Sequence, residues 1–331
     1  MRAQLEQSFD NAKVLVTGGL GFIGSNLVRR LSDYGARVIV VDNLVENTGA
    51  LQFNLDGYTG KVETNIFDIC WSDPLKDLLA GQDYVFHLAA QTSHAGSMSA
   101  PLLDLDVNAK ASLSLLEACR QINPDARVVF ASTRQIYGKP DCIPVNETHP
   151  LRPVDINGIH KLAAEYYLGL YHHVYQVRST ILRLTNTYGP RMRVKDAQQM
   201  FLGLWIKQAL QGEIINVFGD GKQVRDFNYV DDVVDALLMA TDPNSVGKIY
   251  NVGGDEVSTL LDLAKMLVDF CPGSDMHVVP FPPERKAIDI GDYQGDYARL
   301  KNDTGWHPRV GLAEGIERSL RYYSINQQHY W

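Results

Sequence analysis

The sequence predicts an α/β protein: a doubly wound parallel sheet over residues 1–188, followed by a smaller C-terminal α/β lobe over 189–331 that would bind substrate. Three observations predict it. Short apolar runs rich in Val and Ile alternate with stretches of helical periodicity through the first half. A glycine cluster joins the first run to the first helical stretch. After about Tyr188 the alternation gives way to mixed segments punctuated by Gly and Pro at 219–221, 253–254 and 280–283. The runs at 14–17, 37–41, 62–66, 84–88, 128–132 and 180–184 are bounded by Gly, Asp or Asn, and their short lengths suit buried strands. Between them, 22–34, 107–121 and 159–175 carry apolar residues at helical spacing. Strand–helix alternation implies right-handed crossovers and a parallel sheet. The boundary near 188 is soft, and strands can be handed across it.

A chain of 331 residues suits two lobes rather than one simple core. Apolar residues make up 45% and charged residues 21%, which is ordinary globular composition and argues against long disorder. The net charge is −8 with no Lys/Arg tract, so a nucleic-acid partner is not expected. An anionic ligand would be met by a few placed arginines and helix N-termini. Cys70, Cys119, Cys142 and Cys271 form no CxxC pair, and reduced, mostly buried thiols are expected. Residues 1–11 are polar, unlike a signal peptide, and no apolar run nears the ~20 residues of a membrane span. A cytoplasmic chain is the expectation.

The run at 14–17 leads directly into Gly18-Gly19-Leu20-Gly21-Phe22-Ile23-Gly24, which then opens a helix. Gly18 and Gly21 would let the backbone approach a pyrophosphate. The N–H groups at Phe22 and Ile23 would face it, and Gly24 would allow close helix–strand packing. A lone GxGxxG is weak evidence, but here a strand precedes it, a helix follows, and an acid closes the next strand. That acid is Asp42, 18 residues beyond Gly24. Its carboxylate fits a ribose diol and would repel a 2′-phosphate, and Asn43 follows where an Arg would favour NADP. The sequence therefore predicts a Rossmann domain holding NAD. Asp68 and Ile69 follow the third strand, where they could cradle adenine. Leu88, Ala89 and Ala90 follow the fourth and are small enough to pass beneath the cofactor.

The chain resembles the extended short-chain dehydrogenase/reductases, the group that holds nucleotide-sugar 4-epimerases, 4,6-dehydratases and UDP-glucuronate decarboxylases. The resemblance spans nearly the whole length. It rests on GGLGFIG at 18–24, HLAAQ at 87–91, STRQIYG at 132–138, NGIHKLAAE at 157–165, RLTNTYGP at 183–190, GDGKQVRDFNYVDD at 219–232, NVGG at 251–254 and GWHP at 305–308. It implies a Ser/Thr and a Tyr converging on a sugar hydroxyl, with a Lys four residues after the Tyr. That spacing puts Tyr and Lys on one helix face. The Lys binds nicotinamide ribose and lowers the Tyr pKa, so that the phenolate takes a proton as the sugar is oxidised.

Thr133 and Lys161 match the Ser/Thr and the Lys, but the Tyr position holds Asn157. An amide cannot act as a general base near neutrality. Three explanations stand. His94 (or, less well placed, His160) takes the proton, imidazole being a suitable base near pH 7. Thr133 and ordered water relay it to Lys161. Or the protein binds its ligands without turning them over. The dehydratases and decarboxylases of the group carry an acid directly after the Ser/Thr; here Arg134 and Gln135 stand there, which argues against a 4,6-dehydratase. Arg134 either contacts a charged substrate group or forms an outward salt bridge.

By the same resemblance Asn186 contacts the phosphates of a nucleotide diphosphate sugar, and Arg225 meets the diphosphate bidentately. Arg285 is a late phosphate or ribose contact. Phe218 would line the base pocket, and Gln199 and Met200 begin a helix whose backbone could read the base edge. The expected activity is epimerisation, at C4, by transient oxidation to a keto-sugar and hydride return to the opposite face. A decarboxylase or 4-keto-reductase of the same fold, and a catalytically silent nucleotide-sugar binder, are the alternatives. No metal is expected: His172 and His173 are adjacent, and the acids at 104, 106, 289, 292 and 296 lack calcium-loop spacing. The resemblance also implies a homodimer through a four-helix bundle built from 107–121 and 159–175.

Overall fold

The computed structural model describes residues 2–46, 48–58, 62–197 and 200–331. Twelve strands are formed: β1 (Lys13–Thr17), β2 (Arg37–Asp42), β3 (Val62–Ile66), β4 (Tyr84–His87), β5 (Arg127–Thr133), β6 (Arg178–Leu184), β7 (Asn186–Tyr188), β8 (Ile214–Phe218), β9 (Val224–Tyr229), β10 (Ile249–Val252), β11 (Val257–Thr259) and β12 (Asp275–Val279). Seven of them make one sheet in the order β10-β6-β5-β4-β1-β2-β3, and every pairing in it is parallel.

Alternation within each strand sends side chains to two different cores. Val14 and Val16 join a cluster with Leu27, Leu31 and Val233, whereas Leu15 joins one with Leu115, Leu168 and Ile181. Burial on both faces is why the central strands are continuous apolar runs; β3 at the edge is largely exposed, so the run at 62–66 is a strand but not the buried one expected. The chain order reverses between β1 and β4, and the crevice at their C-terminal ends is where open α/β sheets bind ligands.

The two halves of the chain interleave. β10 comes from beyond residue 188, yet it pairs with β6, Ile249 against Ile181 through Val252 against Leu184. The Val230–Met239 helix likewise packs into the first lobe's core. A separate three-stranded sheet, β11-β9-β7, and a pair, β12-β8, frame a second core around Trp205, Leu263 and Ile316. The closing Leu312–Tyr330 helix ties this lobe back: the Tyr330 hydroxyl donates to Asn54 Oδ1 at 2.5 Å, and Asn54 Nδ2 donates to the Leu20 carbonyl at 2.8 Å.

The stretch at 107–121 is α-helical only from Ala111 to Ile122; Leu105–Lys110 before it is a π-helical turn. A widened turn fits side chains that bond out of register. Here Asn108 Nδ2 donates to the Gln91 carbonyl at 2.9 Å, and Ser112 Oγ donates to the Asn108 carbonyl at 2.7 Å. Of the four cysteines, Cys119 is buried, Cys142 is exposed and the other two are half-buried, so the thiols are less buried than composition suggested.

Candidate active site

The glycine turn has no room for a side chain at Gly18 or Gly24. Gly18 has φ +71°, and a Cβ there would lie 2.7 Å from the Ala89 amide nitrogen. At Gly24 a Cβ would lie 2.1 Å from the Gly18 carbonyl oxygen, so the helix could not approach the strand. Gly21 is open, with only the Gly18 oxygen within 4 Å, at 3.3 Å. Gly21 is also the N-cap of the Phe22–Asp33 helix; it makes no side-chain cap and no acid sits in the first turn. The amides at Phe22 and Ile23 thus open a 12-residue helix with no acid of its own first turn beside its positive end.

Asp42 ends β2 beside this turn, 8% exposed. Its Oδ2 accepts the Leu20 amide and its Oδ1 the Leu44 amide, both at 3.0 Å. Burial raises its pKa above the ordinary carboxylate range, partly offset by these amides. Asn43 Nδ2 donates to Asp68 Oδ2 at 3.2 Å, which links the loops after β2 and β3. For Asp68, burial works upward, but hydrogen bonds from Cys70 and Asn43 bring the net pKa below the usual value. Ile69 is turned into the core, so only its backbone can face a ligand. The amides of Leu88 and Ala89 both donate to Thr17 Oγ1 at 3.2 Å, which pins that segment, with Ala90 next to it, over the end of β1. Thr17 Oγ1 also lies 2.9 Å from His87 Nδ1, and His87 Nε2 lies 2.9 Å from Ser112 Oγ. Burial first, then Lys161, pushes the His87 pKa down to about 3, so this imidazole is a neutral structural link. An open glycine cradle, a helix terminus without a side-chain cap and a carboxylate held by backbone amides at the end of β2 fit a dinucleotide.

The Ile156–Tyr175 helix carries the next group. Asp155 is its N-cap, and Oδ1 accepts the Gly158 amide at 2.6 Å. Asp155 Oδ2 accepts Gln135 Nε2 at 2.8 Å and stands 3.0 Å from His94 Nδ1. Burial opposes, but the bonds to His94, Gly158 and Gln135 hold this carboxyl below its ordinary pKa. His94 begins the short His94–Ser99 helix, which docks on the start of the long one: the Asn157 amide donates to Ser97 Oγ at 3.2 Å. A third of the His94 side chain is exposed, while Asp155 is fully covered.

Asn157 is 3% exposed. Its Nδ2 donates to the Gln91 carbonyl at 2.7 Å and to Asp104 Oδ2 at 3.2 Å. The other Asp104 oxygen lies 2.7 Å from His160 Nδ1, and Asp104 is wholly buried. Asn157 and His160 thus close a polar knot around Asp104, which the sequence offered only as one of several loosely spaced acids. Lys161 Nζ donates to the Ala131 carbonyl at 3.0 Å and sits 4.6 Å from the Phe130 ring centre. Burial pushes its pKa down to about 8, against the attraction of Asp104 and Glu165. Thr133 ends β5, and its Oγ1 accepts the Gln135 amide at 3.2 Å.

The third group lies across the cleft. Asn186 Nδ2 donates to the Asp226 carbonyl at 2.8 Å, and its Oδ1 accepts Arg134 Nη2 at 2.9 Å. Arg225, on β9, is 5% exposed. Its Nη2 donates to Asp289 Oδ1 at 3.0 Å, and Nη1 donates to the carbonyls of Val224 and Gly291. Burial first, then the neighbouring Arg134, lowers its pKa to about 10. Phe218 and Arg285 form a different cluster, the exposed Arg285 guanidinium lying 5.4 Å over the Phe218 ring and Phe281 packing alongside. Met200 is the N-cap of the Phe201–Gln211 helix, and Gln199 lies outside the described residues.

Sequence reasoning missed Asp155 and Asp104. Asp155 carried a findable signal, an acid just before a helical run. Asp104 carried none, because its partners come from two other segments. Among the described residues no group of three His, Cys, Asp or Glu is placed to hold a metal ion, and no helix is long and apolar enough to cross a membrane.

A parallel sheet whose reversal point carries a glycine cradle, with an acid closing the next strand, defines a dinucleotide-binding Rossmann protein. Comparison with known proteins makes this specific: residues 14–253 match the NAD dependent epimerase/dehydratase family, and the chain belongs to it. Its cofactor is accordingly NAD. A UDP-glucose 4-epimerase of Mycolicibacterium smegmatis is 32% identical over 96% of this chain and 100% of its own. UDP-glucuronic acid decarboxylase 1 of Danio rerio is 31% identical, covering 97% and 74%. Among solved structures, UDP-glucose 4-epimerase of Thermotoga maritima with UDP-glucose superposes with TM-score 0.86 at 34% identity, covering 95% and 99%.

Proposed function

We propose that this protein is a nucleotide-sugar epimerase acting at C4, in which His94 replaces the missing phenolate as proton acceptor. The observation that carries this reading is the pairing of His94 Nδ1 with the buried Asp155 carboxylate at 3.0 Å. A carboxylate on Nδ1 holds that nitrogen protonated, so Nε2 is the basic one. Asp155 caps the helix that bears Lys161, so the imidazole and the Lys are held by one element. NAD, when bound, accepts a hydride from the sugar and returns it.

The chain's own residues do the rest. Gly18, Gly21 and the amides at Phe22 and Ile23 hold the pyrophosphate, and Asp42 holds the adenosine ribose. Lys161 holds the nicotinamide ribose. Thr133 hydrogen-bonds the sugar hydroxyl, and His94 removes its proton. Asn157 keeps the loop at Gln91 in place rather than titrating. Asn186 and Arg225 anchor the diphosphate, with Arg225 exchanging its bond to Asp289 for the ligand. Epimerisation is redox-neutral and needs no acid to expel water, which suits a turn that follows Thr133 with Arg134 and Gln135.

The likeness to UDP-glucuronic acid decarboxylases supports a second reading, oxidative loss of the sugar carboxylate by the same residues. Both are tested together. Purified protein is incubated with a panel of nucleotide-sugars, and products are resolved by NMR and carbon dioxide is trapped. A C4 epimer without gas release supports the epimerase, and gas release supports the decarboxylase. No product from any sugar, with NAD demonstrably bound, overturns both.

We also propose a homodimer. Leu102 and Leu103, with Ile159, Tyr166, Leu170 and Val174 on the long helix, are exposed apolar side chains. That concentration on the flank of the Lys161 helix exceeds what a lone surface needs.

A further inference from the structure

Among the described residues, Arg134 carries a buried donor that the protein leaves without an acceptor. It follows Thr133 in a single tight turn, Arg134–Tyr137, whose Thr133 cap fixes its direction. Its guanidinium lies 5.3 Å from the Tyr293 ring centre, and Nη2 donates to Asn186 Oδ1 at 2.9 Å. Nη1 is completely buried and donates to nothing. No described carboxylate forms an ion pair with Arg134, so it is not the outward salt bridge that the sequence left open. Asp289 is engaged by Arg225, and Asp226 is committed to the Thr185 hydroxyl and the Gly295 amide. Arg225 stands near enough to repel Arg134.

Burial lowers the Arg134 pKa against the attraction of Asp226, Asp289 and Asp155, and its buried idle donor is costly until an acceptor arrives. The two diphosphate contacts are assigned to Asn186 and Arg225. Arg134 follows Thr133, which the reading above sets on the sugar hydroxyl, and it bonds Asn186, which that reading sets on the diphosphate, so the same reading puts Arg134 beside the sugar. We infer that Arg134 is a specificity residue that reads a carboxylate on the sugar ring, and that the natural substrates are nucleotide-diphosphate uronic acids rather than neutral hexoses. This rests on the nucleotide-sugar reading above.

The test measures affinity and kcat/KM of the NAD-loaded enzyme for UDP-glucuronate, UDP-glucose, UDP-N-acetylglucosamine and UDP. Wild type is expected to favour UDP-glucuronate at least tenfold over both neutral sugars. Arg134→Met keeps an unbranched apolar stem and removes the guanidinium and its charge. It should lose about 10- to 100-fold toward UDP-glucuronate, the size of a charge-assisted guanidinium–carboxylate pair, and shift the other probes less than threefold. Arg134→Lys should recover part of the preference. Equal weakening for all four probes, UDP included, would assign Arg134 to the diphosphate and overturn the inference. So would a wild-type preference for either neutral sugar, or an Arg134→Met variant that discriminates as before. If wild type binds none of the probes, UDP included, the nucleotide-sugar reading falls, and the inference falls with it. Circular dichroism and thermal melting confirm that each variant is folded.

Discussion

Replacing Gly18 by Ala should separate two costs that the glycine turn combines. The residue has φ +71°, where an L side chain is strained by about 1–2 kcal/mol. Its Cβ would also lie 2.7, 2.8 and 2.9 Å from backbone atoms of Leu88 and Ala89. Those are main-chain atoms pinned by Thr17 Oγ1, so no side-chain rotation relieves the contact, and the repacking costs about 1–3 kcal/mol more. Gly57 is a matched control: its φ is +79° and nothing lies within 4 Å of its Cβ. Gly57→Ala should lose about 1 kcal/mol of stability with NAD affinity within twofold. Gly18→Ala should lose more stability and about 10- to 100-fold in NAD affinity, because the segment under the cofactor must move. Urea denaturation and titration of NAD against intrinsic fluorescence read the two effects. Should Gly18→Ala prove too unstable, Gly21→Ala gives the same answer, since its Cβ meets only one protein atom and intrudes on the cradle. Gly18→Ala and Gly21→Ala proteins that both bind NAD as wild type does would refute this account of the site.

Other outcomes follow from the same geometry. His94→Gln should lower kcat about 10²- to 10⁴-fold with NAD affinity within twofold; an unchanged kcat would return the proton to another group. Lys161 has its pKa pushed down to about 8 in the folded protein, so the unfolded chain binds the extra proton between pH 8 and the ordinary Lys value. Stability should therefore rise across that window relative to Lys161→Met, and below pH 8 the cost of the buried charge is fully present; urea melts at pH 7.5 and 9.5 check the sign. Tyr166→Glu combined with Leu170→Glu should yield a monomer by light scattering, with each change costing about 0.5 kcal/mol or less in the monomer itself. A dimer that survives both charges would exclude this face as the seam.

The first lobe was legible because its central strands are buried on both faces. The apolar runs at 14–17, 37–41 and 128–132 sit inside β1, β2 and β5 for that reason. The glycine cradle was legible because turn chemistry is local: Gly18 needs φ > 0 and Gly24 needs close packing wherever they occur. Tyr250 was not legible as part of the first sheet. Its run is short, and its partner Leu182 lies far back in the chain, so only the tertiary fold could supply the strand that completes it. The replacement at Asn157 was visible, but its partners were not. Asp104 belongs to a run, Leu102-Leu103-Asp104-Leu105-Asp106, in which nothing distinguishes the buried acid from the solvated one. Its neighbour Asp106 is exposed and pairs with Lys110, while Asp104 holds Asn157 and His160.

By itself the sequence determined the glycine turn, the helix it opens and the acid that closes the next strand, because these are set by short-range geometry. Only the tertiary structure decided which polar groups are spent and which are free. Asn157 and His160 are consumed by Asp104, His94 is set against Asp155, and one nitrogen of Arg134 is left without a partner. The physical reason is that a hydrogen bond between distant segments is a property of how the lobes pack, and no periodicity in the chain records it.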